Sequence, residues 1–67
     1  MIPIRLNGLD EEVQKDSTLT ELLESLKLPT DGIAVAINGE VVARALHSTR
    51  VLRADDRVEI IQAVGGG

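Results

Sequence analysis

The sequence predicts an α+β fold in which one main helix packs across a mixed sheet of four to five strands. Three observations carry that prediction. Two Asn-Gly dipeptides, Asn7-Gly8 and Asn38-Gly39, each sit between runs of strand character. After Thr18 the hydrophobic period changes from two to about 3.6. The last run, 57–64, is apolar on both faces toward its end, as a strand at the centre of a sheet is.

Taken in order, Ile2, Ile4 and Leu6 alternate with Pro3, Arg5 and Asn7, which predicts a first strand with one buried face. Pro3 lies near its start, where a missing backbone donor is tolerated. Asn7-Gly8 suits the positive φ angles of a two-residue hairpin turn, so a second strand over 9–14 folds back antiparallel. Only Leu9 and Val13 of that strand can face inward, which puts it at the sheet edge. Leu19, Leu22, Leu23 and Leu26 form one helical stripe, Thr18 and Glu21 have capping-box spacing, and Leu28-Pro29 followed by Gly32 ends the helix. Residues 33–37 read as a buried strand, and Asn38-Gly39 turns it back into Val41-Val42. Residues 43–52 are predicted irregular, with a short helical turn near Leu46. After a turn at 54–56 comes the final strand, with Val58, Ile60, Gln62 and Val64 on one face and Arg57, Glu59, Ile61 and Ala63 on the other. Right-handed connections place this strand beside the first.

Size and composition exclude several classes of function. A chain of 67 residues is one domain with a small core and no room for an enclosed active site. Hydrophobic residues make up 43% and charged residues 27%, a folded composition rather than a disordered one. A net charge of −4 disfavours binding to nucleic acid or to an anionic membrane, and without Phe, Tyr or Trp there is no platform for stacking bases. Without cysteine there are no disulfides, no thiolate nucleophiles and no soft metal sites. Neither a signal peptide nor a bilayer-spanning run is present, which predicts a soluble cytoplasmic protein.

The sequence closes on Gln62-Ala63-Val64-Gly65-Gly66-Gly67. A glycine run commonly serves as a linker, but here only a carboxylate follows it. The predicted organisation is therefore a domain over 1–64 and a flexible glycine tail over 65–67. Ordering each tail residue costs about 1 to 2 kcal/mol of backbone entropy, so the tail is expected to be fixed only in complexes.

These features together resemble the thiamine-biosynthesis sulfur carrier (ThiS) family, whose fold is the ubiquitin-like β-grasp. The resemblance runs along essentially the whole chain: the strand at 2–6, LTELLESL at 19–26, IAVAINGEVV at 33–42, ADDRVEIIQAV at 54–64, and the terminal Gly66-Gly67. Ala43 stands where many members carry proline, and His47 where an aromatic residue is common.

The resemblance implies a carrier, not an enzyme. Gly67 would be the attachment point: a ubiquitin-activating-type (E1-like, ThiF-type) enzyme adenylates its carboxylate with ATP and magnesium, and sulfur then replaces one oxygen to give a thiocarboxylate. A thiazole synthase (ThiG-type) accepts that sulfur, and a sulfur donor system supplies it. The chain itself would bind no metal and no cofactor and would be monomeric when free. Other outlets for the same chemistry are molybdopterin synthesis and tRNA thiolation, and a ubiquitin-like protein modifier would use the same glycine differently. Physically, Gly65, Gly66 and Gly67 lack Cβ atoms and can thread a narrow channel, reaching on the order of 10 Å when extended.

Other candidates are weaker. His47 is the lone histidine and reads as a loop residue, Asp55-Asp56 as turn residues, and Glu11-Glu12 as a solvated edge. No nucleophile has a neighbouring base, and no loop is built to cradle phosphate. Ile61, Ala63 and Val64 lead directly into the tail and are the candidate partner-binding residues. If the helix covers the other face of the sheet, Ile61 and Ala63 form an outward apolar patch; alternatively Val42, Val51 or Leu52 folds over and buries them.

Overall fold

The computed structural model describes residues 1–29 and 31–62. These form strands β1 (Ile2–Leu6), β2 (Leu9–Val13), β3 (Ile33–Ile37), β4 (Glu40–Val41) and β5 (Arg57–Gln62), one helix α1 (Leu19–Ser25), and a 3-10 turn over Arg44–Leu46. The strands make one sheet in the order β2-β1-β5-β3-β4. β5 lies at its centre, parallel to β1 and antiparallel to β3. The position beside the first strand is the one that right-handed connection predicts.

Both hairpins close through the predicted Asn-Gly turns, with φ of 50° and 82° at Asn7 and Gly8 and of 53° and 85° at Asn38 and Gly39. All four angles are positive, the geometry whose twist matches that of the flanking strands. Leu6 pairs with Leu9 and Ile37 with Glu40 across these turns.

The core lies between the helix and one face of the sheet. Ile4, Val35, Ile37 and Val58 come from three neighbouring strands, Leu19 and Leu22 from the helix, and Leu52 from the long connection before β5. Leu6, Val13, Leu23, Val42 and Ile60 pack around this cluster. The helix starts where the capping box predicts: Thr18 Oγ1 accepts from the Glu21 amide, and a Glu21 carboxylate oxygen accepts from the Thr18 amide. The next amides are satisfied by the irregular connection, Leu19 N–H donating to the Arg50 carbonyl and Thr20 N–H to the His47 carbonyl.

Several expectations are corrected. The helix ends at Ser25, ahead of Leu28-Pro29, because Lys27 turns the chain left-handed at φ 56° without needing a glycine. Leu26 therefore caps the helix and is exposed. Leu9, expected to face inward, is 70% exposed. A single helix about 10 to 12 Å across cannot cover five strands spaced about 4.8 Å apart, and the turn end of β2 lies beyond its reach. β2 ends at Val13, one residue before its predicted limit. β4 is Glu40–Val41, and Val42 packs against the core.

Asp56 is more than a turn residue: it is buried at 6% exposure. Its carboxylate accepts from Asn38 Nδ2 at 3.0 Å and from the Arg53 amide at 2.8 Å, and it lies 3.5 Å from the Arg50 guanidinium. The last two residues of the predicted final strand, Ala63 and Val64, lie outside the described residues. So does the predicted boundary between 1–64 and 65–67.

Candidate functional site

The site begins at the central strand, because β5 carries the chain toward the glycines. Its entry is clamped by the Asn38-Asp56 pair: the Arg57 amide donates to Asn38 Oδ1 at 2.9 Å, and the Asn38 amide donates to the Arg57 carbonyl. On the β3 edge the strand is paired from Ile37 opposite Val58 to Ile33 opposite Gln62. On the other edge β1 ends at Leu6, and two more contacts follow, from the Asn7 amide to the Val58 carbonyl and from the Ile60 amide to Asn7 Oδ1, both at 2.8 Å.

Alternation along β5 separates two surfaces. Val58 and Ile60 face the helix, where Ile60 and Gln62 line a groove of about 310 Å³ with Leu6, Asn7, Leu26 and Leu28. Ile61 faces the open side of the sheet and is 63% exposed. Beside it sit its cross-strand partner Ala34, then Ala36, and beyond that Val41, which pairs with Ala36 and is 78% exposed. This makes an apolar strip running from the end of β5 across β3 to β4. Charged residues flank it: Arg57 and Glu59 on β5, and Arg5 on β1, which pairs with Asp10 of β2 at 3.5 Å on the exposed surface.

The residues that were alternatives for covering Ile61 are engaged elsewhere. Leu52 is in the core, Val42 packs against the core, and Val51 bridges to Thr18. The candidate residues Ala63, Val64, Gly65, Gly66 and Gly67 lie outside the described residues. His47 holds the 3-10 turn against the hairpin, with Nε2 3.1 Å from the Val42 carbonyl. Among the described residues no group of three or more His, Cys, Asp or Glu side chains is placed to hold a metal ion, and no helix is long and apolar enough to cross a membrane.

Sequence reasoning missed Ala34, Ala36 and Val41 as neighbours of Ile61, and Asn7 and Asn38 as side chains that brace β5. The strip is set by cross-strand register, which depends on how β3 pairs with a strand more than twenty residues away. Asn-Gly signalled two turns; nothing local signals that each Asn also reaches the central strand.

A five-stranded mixed sheet grasping one helix, with its last strand at the centre, defines a small ubiquitin-like β-grasp protein. Residues 4–67 match the model of the ThiS family. The chain is 34% identical to the sulfur carrier protein ThiS of Bacillus subtilis over 65 residues, covering 96% of this chain and 98% of that one. It is 36% identical over 64 residues to a thiazole synthase of Magnetococcus marinus, covering 96% of this chain but spanning only 20% of that protein. The crystal structure of a thiamine biosynthesis protein (ThiS) from Geobacter metallireducens superposes with a TM-score of 0.84 at 30% identity, covering 98% of this chain and all of that one. The chain belongs to the ThiS family, the sulfur carrier proteins of thiamine biosynthesis, which deliver sulfur and are not themselves catalysts.

Proposed function

We propose that the Gly67 carboxylate is where this carrier is loaded. The family match supports this reading, because it extends through all three glycines to residue 67. A carboxylate oxygen of Gly67 attacks the α-phosphorus of ATP in a ThiF-type activating enzyme, and pyrophosphate leaves. A sulfide equivalent from a sulfur donor then attacks the carbonyl carbon, and AMP departs with the bridging oxygen. The product is a thiocarboxylate, one oxygen having been exchanged for sulfur. ATP and magnesium belong to the activating partner, and the carrier holds neither. Activation is needed because a carboxylate anion is a poor electrophile, whereas an acyl-adenylate has a good leaving group.

The recipient is a thiazole synthase. The similarity of this chain to a stretch of the Magnetococcus marinus thiazole synthase polypeptide supports that pairing. Ile61, with Ala34, Ala36 and Val41, is the surface on which the activating enzyme docks, and Ala63, Val64, Gly65 and Gly66 lead from it into the partner's channel. An exposed apolar strip beside the reacting end suits a partner that must bind and release. The carrier works in the cytoplasm, as a monomer when free.

Intact-mass measurement tests the reading. Incubation with a ThiF-type enzyme, ATP, magnesium and sulfide is expected to add the mass of one oxygen-to-sulfur exchange, located at Gly67 by fragmentation. An unchanged mass, or a ladder of lysine conjugates in cell extract, would overturn it.

A further inference from the structure

We propose that Asn7 is a positioning residue for the carrier's reacting end, its side-chain amide replacing a missing rung of the β1–β5 ladder; the role rests on the loading function above. In the parallel ladder, the Arg5 amide donates to the Asp56 carbonyl at 2.9 Å and the Asn7 amide donates to the Val58 carbonyl at 2.8 Å. The next rung would run from the Ile60 amide to the backbone carbonyl of residue 7. At that point the chain leaves the sheet, because Asn7 takes φ 50° to open the hairpin. Its Oδ1 accepts from the Ile60 amide instead, at 2.8 Å across 53 positions of sequence. Asparagine meets both demands, since it tolerates the left-handed turn and carries a carbonyl chemically like the peptide oxygen it replaces.

The consequence lies at the exit of the central strand. Beyond Val58, β5 is held by β3 on one edge, down to Ile33 opposite Gln62. Asn7 supplies the hold on the other edge and so sets the direction in which the chain leaves Gln62. Five residues follow Gln62 in the sequence. Held straight in a partner's channel they span about 17 Å, so a tilt of roughly 20° at Gln62 would misdirect the far end by about 6 Å and would have to be undone on binding. A fixed exit direction lowers what the partner must spend on ordering the chain as it binds, a cost that shows in KM.

Two variants of the full chain isolate this role, because both keep a turn sequence suited to the hairpin. Asn7→Gly removes the acceptor, whereas Asn7→Asp retains one. Amide hydrogen exchange followed by NMR is expected to speed up roughly tenfold at Ile60 in Asn7→Gly, with the Leu22 and Arg5 amides unchanged, and to return to the original rate in Asn7→Asp. In the adenylation assay, KM for the carrier is expected to rise about fivefold in Asn7→Gly at unchanged kcat, and to recover in Asn7→Asp. Unaltered exchange at Ile60, equal behaviour of the two variants, or faster exchange with an unchanged KM would each overturn the positioning role. Failure of the unaltered chain to be adenylated would instead overturn the loading function, and this role with it.

Discussion

Asp56 shows how much one residue can hold. Its carboxylate joins the β3–β4 turn, through Asn38, to the loop that starts the central strand, through the Arg53 amide. Asp56 is itself only 6% exposed, and removing its carboxylate takes the acceptor from two part-buried hydrogen bonds. Asp56→Ala is therefore expected to lose about 2 to 4 kcal/mol of stability, read as a lower urea midpoint. Ala43 offers the opposite case. Its φ of −59° and ψ of 142° are those of a proline, and its amide makes no hydrogen bond among the described residues. Ala43→Pro is expected to stabilise the fold by about 0.4 to 1 kcal/mol by restricting the unfolded chain, raising the thermal midpoint by about 2 to 8 °C. The backbone at Ala43 is thus already set for proline. At position 47, the histidine ring takes its place through the bond to the Val42 carbonyl.

Elements here are short, and their ends are held by neighbours. The seven-residue helix is too short to be stable alone. Its first amides are taken by Thr18 Oγ1 and by the Arg50 and His47 carbonyls, which tie the long irregular connection to the helix start. Thr18→Ala removes the side-chain part of this cap and leaves the carbonyls, so a loss of about 1 kcal/mol is expected in chemical denaturation. The helix start was legible because capping is local chemistry, with donor and acceptor three residues apart. The helix end was not. Lys27 accepts a left-handed conformation that sequence preference would assign to glycine, and the next amide, of Leu28, closes the helix end on the Leu23 carbonyl. Leu52 was equally hidden: it lies in a stretch without period, yet it is a core residue whose amide donates to the Ser17 carbonyl.

At the scale of the molecule, one helix on one face leaves the other face of the sheet open. That asymmetry puts the strip formed by Ile61, Ala34, Ala36 and Val41 on the surface at the end of β5. Ile61→Asp places a charge where only a partner would bury it. Stability is expected to stay within about 0.5 kcal/mol while adenylation at limiting carrier concentration falls at least tenfold. Normal adenylation of a folded Ile61→Asp chain would remove the strip from the docking surface.

The sequence alone determined the kind of element at nearly every position, the two turns, the central place of β5 and the family. The elements and turns follow from short-range rules of period, turn chemistry and capping, the place of β5 from its two apolar faces, and the family from the resemblance of whole stretches of sequence. Tertiary structure decided the burial of Asp56, the exposure of Leu9 and Leu26, the members of the strip around Ile61, and the reach of Asn7 to Ile60. Each depends on which strand lies beside which and on how far one helix extends, quantities that appear only once distant parts of the chain meet.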